Sequence, residues 1–173
     1  MTAAVLRSQG LPRPYATSQP MAIEQVDLDP PGPGKVLYQI IGVGLDHSDL
    51  STIENLRPRK LPSIPDHEAA GIVAEVGPGV AVFKPGDHVV SVFVSSCGDC
   101  RYCNNGRPDL CSGSCMGSCA PQRDIPRFTS LYKRGKLPVQ ELRSGCIGSE
   151  RINQGFDRLA ERAMLRQVLQ PHA

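Results

Sequence analysis

Four cysteines stand at Cys97, Cys100, Cys103 and Cys111, at spacings of three, three and eight residues. Two consecutive Cys-x-x-Cys steps let three sulfurs curl around one point. The glycine-containing return through Gly106 can bring the fourth to close a tetrahedron, the closed coordination that structural zinc prefers. The alternatives are a disulfide pair, disfavoured in a cytosolic chain, and an iron–sulfur cluster, whose usual spacings differ. Cys115, Cys119 and Cys146 remain. They read most simply as small, free, inert thiols, with a reserve role as metal ligands as the sharper reading.

The segment that carries the four cysteines needs such a device. From Cys97 to about Pro121 it is Cys, Gly, Ser and Asn with almost no large apolar residue. It cannot pack as a strand or helix by itself, and thiolate–zinc bonds can order a loop that has no apolar core.

Before it, the chain reads as short strands between turn signals. Residues 35–43 follow a Pro-Pro-Gly-Pro-Gly run, 71–76 end at Gly77-Pro78-Gly79, and 88–94 follow Pro85-Gly86-Asp87. These β-branched segments, bounded by Gly and Pro, have the spacing of an all-β barrel or sandwich. A polar stretch between the first two holds a helical turn around Ser48 to Asn55. After the cysteines, Ile125, Phe128, Leu131 and Tyr132 share one helical face in a helix that opens near Asp124 and stops at Gly135. Ser149 is placed to cap a second helix with Ile152, Phe156 and Leu159 at helical spacing, and Leu165 to Leu169 is strand-like. There is no internal repeat.

Composition removes several function classes. In 173 residues, 19 Lys+Arg face 17 Asp+Glu, and no run of five or six like charges occurs. Nucleic acid and anionic membrane therefore have no electrostatic footprint to bind. With no Trp, four Phe and four Tyr, stacking platforms for single-stranded nucleic acid are also absent. No apolar run approaches the ~18 residues of a membrane span, and no signal-like leader is present, so the expected location is cytoplasmic. Gly (17) and Pro (16) make up about a fifth of the chain, against ~12% on average, which favours strands and turns over long helices.

With the cysteine cluster in view, four motifs ahead of it become recognisable: Gly42-Val43-Gly44-Leu45-Asp46-His47-Ser48-Asp49-Leu50, Pro65-Asp66-His67-Glu68-Ala69-Ala70-Gly71, Val76-Gly77-Pro78-Gly79-Val80 and Gly86-Asp87-His88-Val89. The chain resembles the zinc-dependent alcohol dehydrogenases of the medium-chain dehydrogenase/reductase family. The match runs from about Ala3 to Cys111. The tail from about Gly117 to Val168, above all residues 132–137 and 151–157, is similar to that family's C-terminal end. The resemblance implies a mainly β fold: one GroES-like catalytic domain over residues 1–173, a partly open β-barrel with a few peripheral helices. Residues 1–111 would be its N-terminal part, with a zinc lobe at 95–113, and 117–173 its C-terminal part. Residues 112–116, around Ser112-Gly113-Ser114, read as a linker where the family carries its nucleotide-binding Rossmann domain. No Gly-x-Gly-x-x-Gly follows any candidate strand, so that domain is expected to be missing and the chain to be a natural or engineered shortened form.

The resemblance also assigns roles. Cys97, Cys100, Cys103 and Cys111 correspond to the structural zinc ligands. In the family a second, catalytic zinc is held by a cysteine, the His of the Gly-His-Glu motif and a later cysteine. Here His67 matches the imidazole ligand, Asp46 stands at the first cysteine position, and the stretch that would carry the other cysteine is missing. Asp46 and His67 are thus candidates for a second zinc, with Glu68, Asp66 or a spare thiol needed to complete it. Ser48 matches the hydroxyl that relays the substrate's proton, and Asp49 and Glu68 match groups beside the metal. His47 matches a residue that meets the cofactor pyrophosphate, a vestigial role if the NAD(P) site is absent. Read without the family, Asp46 and Ser48 are ordinary helix caps and His67 an ordinary hydrogen-bonded histidine.

The leading expectation is the zinc-binding catalytic domain of an alcohol dehydrogenase, inactive alone, whose parent reaction is hydride transfer between a small alcohol or aldehyde and NAD(P). One alternative is a zinc-stabilised structural or interaction module that self-associates through surface left bare by the missing domain. Another is a redesigned metal site at Asp46 and His67 with weak hydrolytic activity.

Overall fold

The computed structural model describes residues 1–65, 67–92, 96–112 and 121–171. Asp66, Cys115, Cys119, the linker beyond Ser112 and the end of the expected third strand at Phe93-Val94 lie outside the described residues. In chain order the elements are β1 (Thr2–Leu6), α1 (Tyr15–Ser18), β2 (Met21–Gln25), β3 (Val36–Leu45), α2 (His47–Ile53), β4 (Ala69–Val76) and β5 (His88–Ser91). There follow α3 (Arg101–Asn104), α4 (Pro121–Lys133), α5 (Val139–Leu142), β6 (Gly145–Ile147), α6 (Ile152–Ala160) and β7 (Gln167–Leu169), with 3₁₀ turns at Pro108–Leu110 and Ser149–Arg151. They fall into two compact units, residues 1–91 with 143–173, and residues 92–142. No described helix is long and apolar enough to cross a membrane.

The first unit is built on sheet. β1 and β2 form an antiparallel ribbon, and five strands run in the order β5-β4-β3-β7-β6. All neighbours in the larger sheet are antiparallel except β6 and β7, which are parallel and joined through α6. Among the described residues the sheet stays open, as the partly open barrel requires. The strands expected at 35–43 and 71–76 are β3 and β4, each slightly longer. The ribbon was not foreseen: Thr2–Leu6 and Met21–Gln25 are each only five residues long and have no tight hairpin turn between them.

One apolar core holds this unit. Leu6, Tyr15, Met21, Val43, Leu45, Leu50 and Ile53 from the N-terminal part pack with Ile147, Ile152, Phe156, Leu159 and Leu169 from the C-terminal part. Gly155 lets α6 press onto the sheet, since a Cβ there would come within 2.6 Å of Ile147 Cδ1 and 2.9 Å of Leu45 Cδ1. Polar bonds fix the same junction. The Asp157 carboxylate accepts from the backbone N–H groups of Tyr15 (2.6 Å) and Ala16 (2.8 Å), and the Asn153 amide pairs with both the N–H and the carbonyl of Met21. Two distant stretches of sequence thus build one folding unit.

α6 has the expected Ile152, Phe156 and Leu159 face, but its start differs. Ser149 opens a 3₁₀ turn and makes no side-chain cap bond; the helix proper begins at Ile152. The apparent cap is an irregular approach, in which Gly148 precedes the turn in extended conformation.

The second unit has helices and turns but little interior. α4 begins at Pro121, earlier than Asp124, and runs through Pro126. It ends where Gly135, at φ +67°, lets its own N–H reach the Tyr132 carbonyl while Lys136 N–H reaches that of Leu131. This is a left-handed glycine closure of a helix. Among the unit's described residues only Cys111 is buried. Phe128, Tyr132, Val139 and Leu142 are exposed.

Candidate metal centres

The four cysteines are brought together by two tight reversals. Gly98 (φ +75°) and Gly106 (φ +70°) take up the left-handed backbone that turns the chain on either side of α3. Cys100 stands at the N-cap of α3 and Cys103 within it, and Cys111 closes the 3₁₀ turn. The Cys100 N–H donates to Cys97 Sγ and the Cys97 N–H to Cys111 Sγ, both at 3.3 Å. Such bonds favour the thiolate form. The Cys100 thiol is lowered to about 5, chiefly by backbone N–H groups of Cys103 and then Ser112. Cys103 is pushed up to about 12, first by desolvation and further by the neighbouring sulfurs.

All four sulfurs lie within 4.8 Å of one another, and Cys100 and Cys103 are 3.6 Å apart. Thiolates about 2.3 Å from a tetrahedral zinc stand about 3.8 Å apart. The donor set fits zinc, and none of the four is in a disulfide.

The second cluster belongs to the first unit. Asp46 ends β3 and caps α2: its Oδ1 accepts from the N–H groups of Ser48 (2.6 Å) and Asp49 (3.1 Å). Its other oxygen, Oδ2, lies 3.0 Å from His67 Nε2, and Asp49 Oδ1 lies 3.9 Å from His67 Nδ1. Asp46 and Asp49 are buried and His67 is half-buried. One ligand atom each from Asp46, His67 and Glu68 falls within 4.8 Å of the others. The cap reading of Asp46 therefore holds through Oδ1, while Oδ2 is turned to His67.

Ser48 and His47 sit in the first turn of α2. Ser48 is half-buried and its hydroxyl makes no hydrogen bond among the described residues; His47 is exposed. Asp66 is outside the described residues, and no thiol among the described residues joins this trio.

Sequence reasoning missed Arg166. Its guanidinium pairs with Glu68 Oε2, both side chains being about two-fifths exposed. The pair lies over Gly44, where a Cβ would come within 3.3 Å of both partners. Register explains this: β7 pairs with β3 so that Gly44 faces Val168 and Leu45 faces Gln167, which puts Arg166 alongside the glycine. An arginine interrupting a short apolar run was the available signal.

The family model for the alcohol dehydrogenase GroES-like domain matches residues 32–133. That span is more than half of the chain and takes in both clusters. The chain belongs to this family. It is 42% identical over 133 residues to the NDMA-dependent alcohol dehydrogenase of Amycolatopsis methanolica, covering 77% of this chain and 33% of that protein. Among solved structures, AibC superposes with a TM-score of 0.57 at 35% identity, over 68% of this chain and 32% of the other. The thermostable alcohol dehydrogenase of Pyrobaculum aerophilum with cobalt and zinc bound superposes with a TM-score of 0.55 at 30% identity, over 66% and 33%. The chain spans about a third of the length of the relatives it matches. The GroES-like fold is thereby established for this alcohol dehydrogenase family member, together with a cysteine cluster able to bind metal.

Proposed function

We propose that the chain is the metal-holding part of a zinc-type alcohol dehydrogenase, with one structural zinc at Cys97, Cys100, Cys103 and Cys111. The observation that carries this is the gathering of four cysteine sulfurs within 4.8 Å in a unit in which, among the residues whose burial is described, only Cys111 is buried. Zinc bound there would supply folding energy.

The substrate face is assigned to Asp46, Ser48, His67 and Glu68. A metal at this face, when bound, supplies polarisation of an alcohol or aldehyde oxygen. The chain's own groups do the rest. Asp46 Oδ1 holds the start of α2 and so fixes Ser48, whose hydroxyl, unengaged among the described residues, is available to take a proton from the alcohol and pass it outward. Asp46 Oδ2 and Asp49 hold the His67 ring from opposite edges. His47, exposed on the same turn, is available to a cofactor phosphate. The share of the relatives that is matched, about a third, supports assigning the NAD(P) site to the remaining length. Turnover is then expected only when a nicotinamide-binding portion is supplied.

Elemental analysis of the folded chain tests the first assignment. One zinc per chain, lost in Cys103→Ser, is the expected result; a metal-free chain with an unchanged fold refutes it. A second reading, a zinc-stabilised interaction module that binds a protein partner or its own copy, is favoured by the exposed Phe128, Tyr132 and Leu142. Concentration-dependent sedimentation without cofactor binding would support it over the first.

A further inference from the structure

The loop that leads from α2 to His67 gathers positive charge that no described carboxylate neutralises. Three of the four residues from Arg57 to Lys60 are cationic and none is acidic. Arg57, Arg59 and Lys60 are exposed, and their side chains form no ion pair or hydrogen bond among the described residues. By contrast, Arg7, Lys84 and Arg166 of the same unit each have a carboxylate. Glu54, the one acid in residues 50–64, is taken by Arg13, so the loop keeps its full charge.

Backbone bonds hold these cations in place. Gln9 Nε2 donates to the carbonyls of Thr52 (2.5 Å) and Arg57 (3.2 Å), and Gln9 Oε1 accepts from the Arg59 N–H (3.1 Å). The N–H groups of Leu56 and Arg57 return to the Ser51 carbonyl, and Ser63 exchanges both of its backbone bonds with Leu6. All of these use main-chain groups of the loop, so they fix its path and leave both guanidinium groups available. Like charges confined in this way repel one another, and an anion relieves the repulsion. The planar fork of arginine suits a carboxylate or a phosphate.

The loop also has an order. One limb leaves α2, whose first turn carries Ser48, and the other arrives at His67. Leu56, 71% exposed, stands on the first limb and Ile64, 53% exposed, on the second, with the cations at the tip between them. α2 itself, seven residues long, spans about 10 Å. Polar groups, then exposed apolar side chains, then unpaired cations follow one another away from the site.

We propose that Arg57, Arg59 and Lys60 select a substrate whose reacting hydroxyl or aldehyde is joined by an alkyl chain to a carboxylate or phosphate at its far end. The alkyl portion would lie against Leu56 and Ile64. This rests on the substrate-face assignment of Ser48 and His67 and names the substrate class for that face.

The test follows amide NMR signals of the whole folded chain at low salt. The probes are hydroxyoctanoate and hydroxyoctyl phosphate, each with its two polar groups at opposite ends, and the uncharged octanediol. At least one anionic probe should move signals at residues 47–49 and 67–69 together with those at 56–61, and should bind about tenfold more tightly than the diol. The tighter of the two identifies the anionic group. The preference should shrink as salt is added, and should disappear when Arg57→Gln is combined with Arg59→Gln, exposed changes that leave the Gln9 bonds to the backbone intact. Equal binding of all three probes at 47–49 and 67–69 overturns the proposal and leaves the substrate face standing. Shifts confined to 56–61 overturn it too, because the loop would then hold an anion with no part in the site. An anion preference that survives the double substitution overturns the assignment to these arginines. No shift at 47–49 and 67–69 with any probe overturns the substrate face, and the proposal with it.

Discussion

The two units hold themselves together by different means. Residues 1–91 and 143–173 share an apolar core to which both ends of the sequence contribute, fixed by Asp157 and Asn153 at the junction. Residues 92–142 bury only Cys111 among those described and leave Phe128, Tyr132, Val139 and Leu142 exposed. Hydrophobic burial scales with the apolar area removed from water, so it can stabilise the first unit and contributes little to the second. In the second, four cysteine sulfurs are gathered into a cluster able to bind metal, while the first brings two carboxylates and an imidazole together on a backbone already held.

The largest expected effect separates the two directly. Chelation of zinc, or Cys103→Ser, should abolish hydrogen-exchange protection at α3 and the turn before Cys111 while leaving β3 and β4 protected. Structural zinc in small domains contributes roughly 10–16 kcal/mol of apparent binding energy, more than most small folds have to lose. Protection in α3 that survives metal removal would break the comparison.

The reverse experiment attacks the apolar core. Phe156 is 1% exposed and lies where α6 meets the sheet. Phe156→Ala should cost about 3–5 kcal/mol by denaturant unfolding of the first unit, with zinc per chain unchanged. Loss of zinc together with that core would mean that the units are not independent in stability.

How much of this was legible follows from how local the signals are. The four cysteines declare themselves because ligand spacing is a property of a few consecutive residues, and Gly98 and Gly106 sit where the turns need them. β3, β4 and the α6 face announce themselves through β-branched runs and helical spacing. The β1–β2 ribbon does not, because its strands are short, lack a tight turn between them, and take their side-chain tie at Met21 from Asn153, 132 residues away. Arg166 was invisible for the same reason: its partner Glu68 is 98 residues distant. Asp46 looked either like a cap or like a ligand; the coordinates show the cap through Oδ1 and leave Oδ2 beside His67. Ser149 had the right residue type for a cap, but the Gly148 approach leads into a 3₁₀ turn.

A smaller effect sharpens the account of the junction. Asp157→Ala removes the two bonds that its carboxylate takes from Tyr15 and Ala16, and lost caps of this kind cost ~1 kcal/mol. Exchange at those two amides should rise well beyond that of β3 and β4. Equal rises everywhere would show that the carboxylate acts on the whole unit and not on the start of α1.

The smallest expected effect lies on the surface of the same unit. Arg7 forks onto Glu24 across the ribbon, with Nε at 2.6 Å and Nη2 at 2.5 Å from its two oxygens. This hydrogen bonding is the main cause of a Glu24 carboxyl held below its ordinary 4.5. A carboxyl lowered on folding binds its proton less readily folded than unfolded. Its contribution is therefore present above about pH 4.5 and lost as the pH falls through the lowered folded value. In Arg7→Ala the Glu24 titration, followed by carboxyl NMR shifts, should move back up toward 4.5. Because the arginine side chain is 59% exposed, solvent screens the pair and the unfolding midpoint at neutral pH should barely change. A marked drop in that midpoint would show the ribbon to be held by charge at its surface, and the contrast between a unit closed by apolar burial and one gathered around four cysteines would no longer stand in that form.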